Sequence, residues 1–315
     1  MALLITREVP LAVAERAARE HKVRQLAMQG AFDPALVLQN SAGVDAILCT
    51  PADRFDAELI AALPASVKVI ATYSVGIEHI DLAAAAARHI EICNTPDVLS
   101  TATAEMALTL MLMAARRAGE GERLLRAGKW RGLTPTFLLG RGVAGKVLGI
   151  FGMGRIGREL AAMARGLNMT VHYRNRTRLP TELEAGAIYH NNDAGFLSAI
   201  DFLSINAPGG EGTFHWLNTA RIYLLKPGAI VVNTGRGSTV DDEALVTALR
   251  SGRVLAAGLD VYNDEPKIHP GYLALENVVL LPHIGSATVE TRDAMGFLAL
   301  DGIARALRDC FKSSL

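Results

Sequence analysis

A chain of 315 residues is long for a single core, so two domains of ordinary size are expected. Half of the residues are apolar and a fifth are charged, a profile that excludes a disordered chain. Lys plus Arg equal Asp plus Glu at 32 each, so no net field draws in nucleic acid or an anionic membrane. The three cysteines, Cys49, Cys93 and Cys310, lack CxxC spacing and suggest neither a disulfide framework nor a metal site. No basic segment precedes the short apolar start Met1–Ile5. The most apolar stretch, 106–115, is half of the roughly 20 residues that span a bilayer. A cytoplasmic protein with no membrane partner is the expectation.

In chain order, Leu3–Thr6, Ala46–Thr50, Val67–Thr72 and Ile90–Asn94 read as short apolar or β-branched strands. Ala-rich helical segments, Leu11–Met28 and Leu82–Arg88, lie between them, and this alternation predicts a parallel sheet with helices on its faces. Asn94-Thr95-Pro96 breaks the pattern, and a helix over about Thr101–Arg117 follows. Its Ala104, Met106, Ala107, Leu108, Leu110, Met111 and Leu112 cover more than one face. That predicts burial between domains or between subunits, with a central core helix as the alternative. Gly119–Gly145 is Gly-rich and reads as a looser segment carrying Trp130 and Pro135. Strand–helix alternation resumes from Val147 to Leu281, and 288–310 reads as a closing helix.

Within the second half, Val147–Phe151 is a strand, Gly152-Met153-Gly154-Arg155-Ile156-Gly157 a turn, and Ile156, Leu160, Met163, Ala164 and Leu167 the apolar stripe of a helix. Glycines there permit a tight turn and close approach of backbone to a pyrophosphate, which the helix N-terminus stabilises. A GxGxxG flanked by strand and helix within a βαβ-length unit indicates a dinucleotide site. The next strand, Thr170–Tyr173, ends where an NAD enzyme carries Asp or Glu for the ribose hydroxyl. Here stand Arg174-Asn175-Arg176-Thr177-Arg178, cations suited to a 2′-phosphate. NADP(H) is therefore the expected preference and NAD(H) the alternative, with Arg174 and Arg176 the arginines that act.

Three later motifs each follow a strand-like run and each bears a side chain able to do carbonyl chemistry. Asn233-Thr234-Gly235-Arg236-Gly237 follows Ala229–Val232, Asp264-Glu265-Pro266 follows Val254–Val261, and Pro282-His283 follows Val278–Leu281. A cation for a substrate carboxylate, a histidine for a proton, and an acid that keeps the histidine protonated fit hydride transfer to a 2-oxo acid. Taken singly, each residue has a structural explanation. Their shared placement at strand ends of one dinucleotide-binding sheet, where ligands bind, favours a catalytic reading.

With these residues in view, the chain resembles the D-2-hydroxyacid dehydrogenases, near the glyoxylate/hydroxypyruvate reductases. The resemblance spans nearly the whole sequence and includes Tyr73-Ser74-Val75-Gly76 with His79 to Asp81, Asn94-Thr95-Pro96, Gly258-Leu259-Asp260 and Pro282-His283-Ile284-Gly285-Ser286. It implies an α/β protein of two Rossmann-like, doubly wound parallel-sheet domains, the first discontinuous. A flavodoxin-like substrate domain would take residues 1–98 and 284–315, and the dinucleotide-binding domain residues 99–283. It also implies that Arg236 binds the substrate carboxylate and polarises the keto oxygen, that His283 is the general acid–base, and that Glu265 orients it. Ser74, Val75 and Gly76 would complete the carboxylate site. Asp260 would meet the nicotinamide carboxamide, and Ala207, Pro208, Thr234, Gly235 and Gly285 would line the cofactor. A homodimer is implied as well.

Two departures stand out. Leu133 occupies a place where those reductases commonly carry an aromatic that reaches the partner's pocket, and Asp309–Leu315 does not match the family ending. Two other readings are compatible with the fold. One is a phosphite dehydrogenase-type oxidoreductase, the other a dinucleotide-sensing, corepressor-like binding protein.

Overall fold

A computed structural model describes residues 1–312. The chain divides into two units, one of Met1–Leu99 with Ala287–Leu315 and one of Ser100–Ser286.

The first unit opens with β1 (Ala2–Ile5), α1 (Leu11–Glu20), β2 (Lys22–Gln25), α2 (Pro34–Asn40), β3 (Ala46–Cys49), α3 (Ala57–Ala62), β4 (Val69–Thr72), α4 (Leu82–Ala87) and β5 (Glu91–Cys93). The strands form a sheet of order β2-β1-β3-β4-β5, every pair parallel. Every residue of β3 and β4 is buried, which is why these runs are continuously apolar instead of alternating. Asp33, Asp56 and Asp81 cap α2, α3 and α4 by accepting first-turn N–H groups.

The sequence reading is corrected at residues 21–28. The helix expected over Leu11–Met28 stops at Glu20, and Lys22–Gln25 leaves it to pair with β1 as an edge strand. Lys22, Arg24 and Gln25 are exposed, and such charge on an edge discourages pairing with another chain. It also hides the strand from a search for apolar runs.

The second unit comprises α5 (Ser100–Ala115), α6 (Ala118–Arg126), β6 (Val147–Phe151), α7 (Arg155–Gly166), β7 (Thr170–Arg174), α8 (Thr181–Glu184), β8 (Ile188–Tyr189), α9 (Asp193–Ala199), β9 (Phe202–Ile205), α10 (Thr219–Leu224), β10 (Ala229–Asn233), α11 (Asp242–Arg250), β11 (Val254–Leu259), α12 (Pro270–Leu273) and β12 (Val278–Leu280). Its seven parallel strands run β12-β11-β10-β9-β6-β7-β8. The strand order reverses between β6 and β9, the switch point at which such sheets bind ligands.

Helix α5 lies in the core of its own unit. Its Ala104, Ala107, Leu110 and Met111 join one apolar cluster with Leu160 and Ala161 of α7 and with Ile230, Val232 and Ala256 of the sheet. Met106, Leu108, Leu112 and Met113 remain half-buried. The looser segment expected over Gly119–Gly145 is corrected at its start, where 118–126 is helical. Arg117 pairs with Glu120 there, and Glu122 with Arg126; such i,i+3 and i,i+4 pairs support an exposed helix despite Gly119 and Gly121.

The chain then returns to the first unit as α13 (Val289–Lys312). Met295, Ala299, Leu300 and Ile303 of α13 complete the core over Leu3, Ile5, Val69 and Ala71. Of the unmatched ending, residues 313–315 lie outside the described residues. No helix among the described residues is long and apolar enough to cross a membrane.

Candidate active site

The glycine turn after β6 is built for close approach. Gly152 has φ +91°, and a Cβ there would lie 2.5 Å from the Ala207 amide nitrogen, so only glycine fits between β6 and the chain leaving β9. At Gly154, the N-cap of the 12-residue α7, a Cβ would meet nothing within 4 Å. This open cradle before the N-terminus of α7 suits a pyrophosphate, so the residues present fit a dinucleotide. Met153 and Gly157 are buried beneath the turn and Ile156 packs on the core; Arg155 opens the helix. Across the turn, Asn175 Oδ1 accepts the Met153 N–H at 2.7 Å and Gly152 N–H donates to the Arg174 carbonyl at 3.1 Å. The Asn175 side chain thus stitches the turn to the end of β7.

Strand β7 runs one residue further than expected and includes Arg174. Arg176 and Thr177 are exposed, whereas Arg174 is half-buried. The arginine cluster has an acidic neighbour distant in sequence. Asp193, at the start of α9, accepts from Arg174 Nε at 3.1 Å, Arg221 Nε at 2.7 Å and Trp216 Nε1 at 3.2 Å. Trp216 stacks on Phe151 of β6, with ring centroids 3.6 Å apart. Arg178 turns away to Glu184 at 2.8 Å; that ion pair, with the Tyr173 hydroxyl, holds the Glu184 carboxyl down at about 2.

Ends of β9 and β10 are knitted together on the same edge of the sheet. Thr234 Oγ1 donates to Asn206 Oδ1 at 3.1 Å, and a Cβ on Gly235 would sit 2.7 Å from the Ala207 carbonyl oxygen. Ala207 is buried and Pro208 exposed beside it.

Arg236, Glu265 and His283 follow the adjacent strands β10, β11 and β12. His283 Nδ1 and Glu265 Oε2 are 2.6 Å apart, and the two side chains are 46 % and 33 % exposed. Arg236 is half-buried, its Nη1 donating to the Gly235 carbonyl at 2.9 Å. Its turn is fixed by Thr239 Oγ1 and Asn233 Nδ2, both donating to the Arg236 carbonyl. The turn is also pressed onto the end of β11, because a Cβ at Gly237 would fall 1.9 Å from the Tyr262 carbonyl carbon.

His283 has φ +54°, a left-handed conformation that costs a non-glycine residue about 1–3 kcal/mol. Asp260, 1 % exposed, holds the turn, its two oxygens accepting the N–H groups of Ile284 at 2.8 Å and Gly285 at 2.7 Å. Hydrogen bonds to a charged group contribute about 1.5–3 kcal/mol each, enough to offset the strained histidine. Burial pushes the Asp260 carboxyl above its usual range, against the lowering effect of those two amides. The family resemblance implies only a cofactor contact for Asp260. The clamp, the role of Asp193 and the tie from the Tyr262 hydroxyl to Leu281 are not legible in the sequence, because each partner lies 19 or more positions away.

In the first unit, Ser74, Val75 and Gly76 form the turn after β4. Ser74 Oγ donates to the Gly76 carbonyl at 2.6 Å, Asn94 Nδ2 donates to that of Val75 at 2.8 Å, and Val75 is exposed.

A parallel sheet with a glycine turn at its switch point and an acid–histidine pair on the same edge defines the class of dinucleotide-dependent oxidoreductases. Residues 108–285 match the model of the D-isomer specific 2-hydroxyacid dehydrogenase, NAD binding domain. The chain belongs to this family. It is 41 % identical over 305 residues to a glycerate dehydrogenase of Hyphomicrobium methylovorum, covering 95 % of this chain and 94 % of that one. It is also 41 % identical to a glyoxylate reductase of Thermococcus onnurineus, covering 94 % and 90 %. Among solved structures, the NADPH-dependent glyoxylate/hydroxypyruvate reductase of Sinorhizobium meliloti, in complex with NADP and malonate, superposes with a TM-score of 0.85 at 34 % identity, covering 96 % and 92 %.

Proposed function

We propose that the protein reduces small 2-oxo acids, such as glyoxylate and hydroxypyruvate, to D-2-hydroxy acids, using NADPH in preference to NADH. The observation that carries this reading is the 2.6 Å His283–Glu265 pair on the edge of the sheet to which the Arg236 turn and the glycine turn also belong. With Nδ1 committed to Glu265, the imidazolium presents its Nε2 proton to the keto oxygen, and Glu265 fixes the ring's orientation. Arg236 holds the substrate carboxylate and polarises the carbonyl. Bound nicotinamide supplies the hydride. Gly152, Met153, Gly154, Arg155, Ile156 and Gly157 would hold the pyrophosphate, with Ala207, Pro208, Thr234, Gly235, Asp260 and Gly285 along the nicotinamide half. Arg174, Arg176 and Thr177 would take the 2′-phosphate and Asn175 would brace it. With Arg174 already paired to Asp193, the exposed Arg176, just after the end of β7 where an NAD enzyme carries Asp or Glu, is the main support for the NADPH preference.

A cytoplasmic homodimer completes the proposal. Leu125, Trp130, Leu133 and Leu139 are between 55 % and 85 % exposed within one stretch after α5, an apolar stretch suited to a subunit contact.

The deciding experiment measures NADPH and NADH oxidation against a panel of 2-oxo acids, for the wild type and His283→Ala. Turnover is expected with glyoxylate, hydroxypyruvate and somewhat larger 2-oxo acids, falling about 10²–10⁴-fold in the variant. Undiminished turnover in His283→Ala would end this mechanism.

A further inference from the structure

Tyr262 is bonded to Glu265 through its backbone and to the chain just before His283 through its side chain. Its backbone N–H donates to Glu265 Oε1 at 2.9 Å, leaving Oε2 for His283. Its side chain, 7 % exposed, turns inward, and the phenol lies 2.8 Å from the Leu281 carbonyl and 3.1 Å from the Leu259 carbonyl. Leu281 precedes His283 by two residues, and Leu259 ends β11. One hydroxyl therefore joins the last turn of β11 to the chain leaving β12, on the side of His283 opposite the Asp260 clamp.

We infer that Tyr262 is a positioning residue for the proton transfer, its hydroxyl fixing the height of the His283 segment against the Glu265 carboxylate. This rests on the role proposed above for His283. Asp260 anchors Ile284 and Gly285, the two residues after the histidine; Tyr262 anchors the chain before it. With both anchors in place, a left-handed histidine has one allowed position. With only the later anchor, the segment pivots about Gly285 and the Nδ1–Oε2 distance is no longer set. Burial, with Asp260 and Glu265 nearby, pushes the phenol above its usual range, so it stays a donor across the working pH. Two carbonyls await one proton, and the shorter contact, to Leu281, is the one that bears on His283.

Packing alone would need only an aromatic ring here, so Tyr262→Phe separates packing from positioning. The variant keeps the ring and the backbone bond to Glu265 and loses the tie to Leu281. Losing one buried hydrogen bond in this geometry should lower kcat about 5- to 10-fold. KM for the oxo acid, which reports Arg236, should stay within about twofold, as should the Kd for NADPH. The solvent deuterium isotope effect on kcat should rise, because proton delivery becomes slower relative to the other steps. Glu265→Gln and the double variant complete the test. If Tyr262 acts through the pair, the two losses are less than additive.

His283→Ala run alongside keeps the two claims apart. Full activity in that variant overturns the catalytic reading itself. An inactive His283→Ala together with a Tyr262→Phe enzyme of wild-type kcat and isotope effect overturns the role of Tyr262 alone. Equal losses in kcat and NADPH affinity, or strict additivity with Glu265→Gln, would also overturn it, showing a general structural contribution.

Discussion

Replacing Gly237 with Ala perturbs the site without touching any catalytic side chain. A Cβ built there lies 1.9 Å from the Tyr262 carbonyl carbon, 2.1 Å from its oxygen and 2.4 Å from the Asn263 nitrogen, all of them backbone atoms. Carbon atoms rest at about 3.5 Å, so the Arg236 turn and the end of β11 must part by about 1.5 Å. No flexible side chain can absorb this, because both segments are tied down. Tyr262 N–H is bonded to Glu265, Asn263 Nδ2 to Asp242 and the Val240 carbonyl, and the Arg236 carbonyl to Thr239 and Asn233. Overpacking of this kind costs about 1–3 kcal/mol of stability. The catalytic effect should be larger, since a misplacement of about 1 Å lowers turnover on the order of 10²-fold. Stopped-flow kinetics with NADPH and a 2-oxo acid should show kcat down about 100-fold with NADPH affinity retained, beside a modest fall in Tm. A Gly237→Ala enzyme with wild-type kcat would show that the spacing between the Arg236 turn and the His283–Glu265 pair is immaterial.

Other expectations follow from the same geometry. Arg176→Ala should weaken NADPH binding about 10- to 100-fold while sparing NADH, whereas Arg174→Ala, which also removes one of the three donors to Asp193, should in addition lower Tm; equal losses with both cofactors would refute the 2′-phosphate role. Leu133→Trp should shift preference toward glyoxylate by about 10- to 200-fold, and coincident profiles for oxo acids of increasing length would refute that role for position 133. The half-buried His172–His190 pair, 2.9 Å apart, has both rings pushed below the usual histidine range, chiefly by burial. The unfolded chain therefore takes up protons first, so stability falls as pH drops below about 6.5. Tm measured from pH 8 to pH 5.5 should fall less steeply in His172→Gln than in the wild type, and parallel curves would exclude the pair as the cause.

Legibility in the sequence followed burial. The inner strands were readable because strands covered on both faces are unbroken apolar runs, and Val147–Phe151 was read with its observed ends. Strand β2 was not, because three of its four residues face water, and α6 was not, because its two glycines resemble a loop. The residues named for the active site announced themselves by type and by position after strands. Asp193, Asp260 as a clamp, and Tyr262 did not, since what they do depends on which distant backbone or guanidinium they meet.

The route of the chain also has a consequence for its birth on the ribosome. The first unit is begun by residues 1–99 and finished by α13, with the whole second unit interposed. Translation at about 5–20 residues per second leaves an interval of roughly 10–40 seconds before α13 emerges. Throughout it, the sheet face of Leu3, Ile5, Val69 and Ala71 lacks the side chains of Met295, Ala299, Leu300 and Ile303 that cover it in the finished fold. The unit that begins first must therefore be completed last. The nascent chain passes through a stage in which the nucleotide-binding half can already be folded while its older neighbour still exposes an apolar surface that a chaperone would recognise.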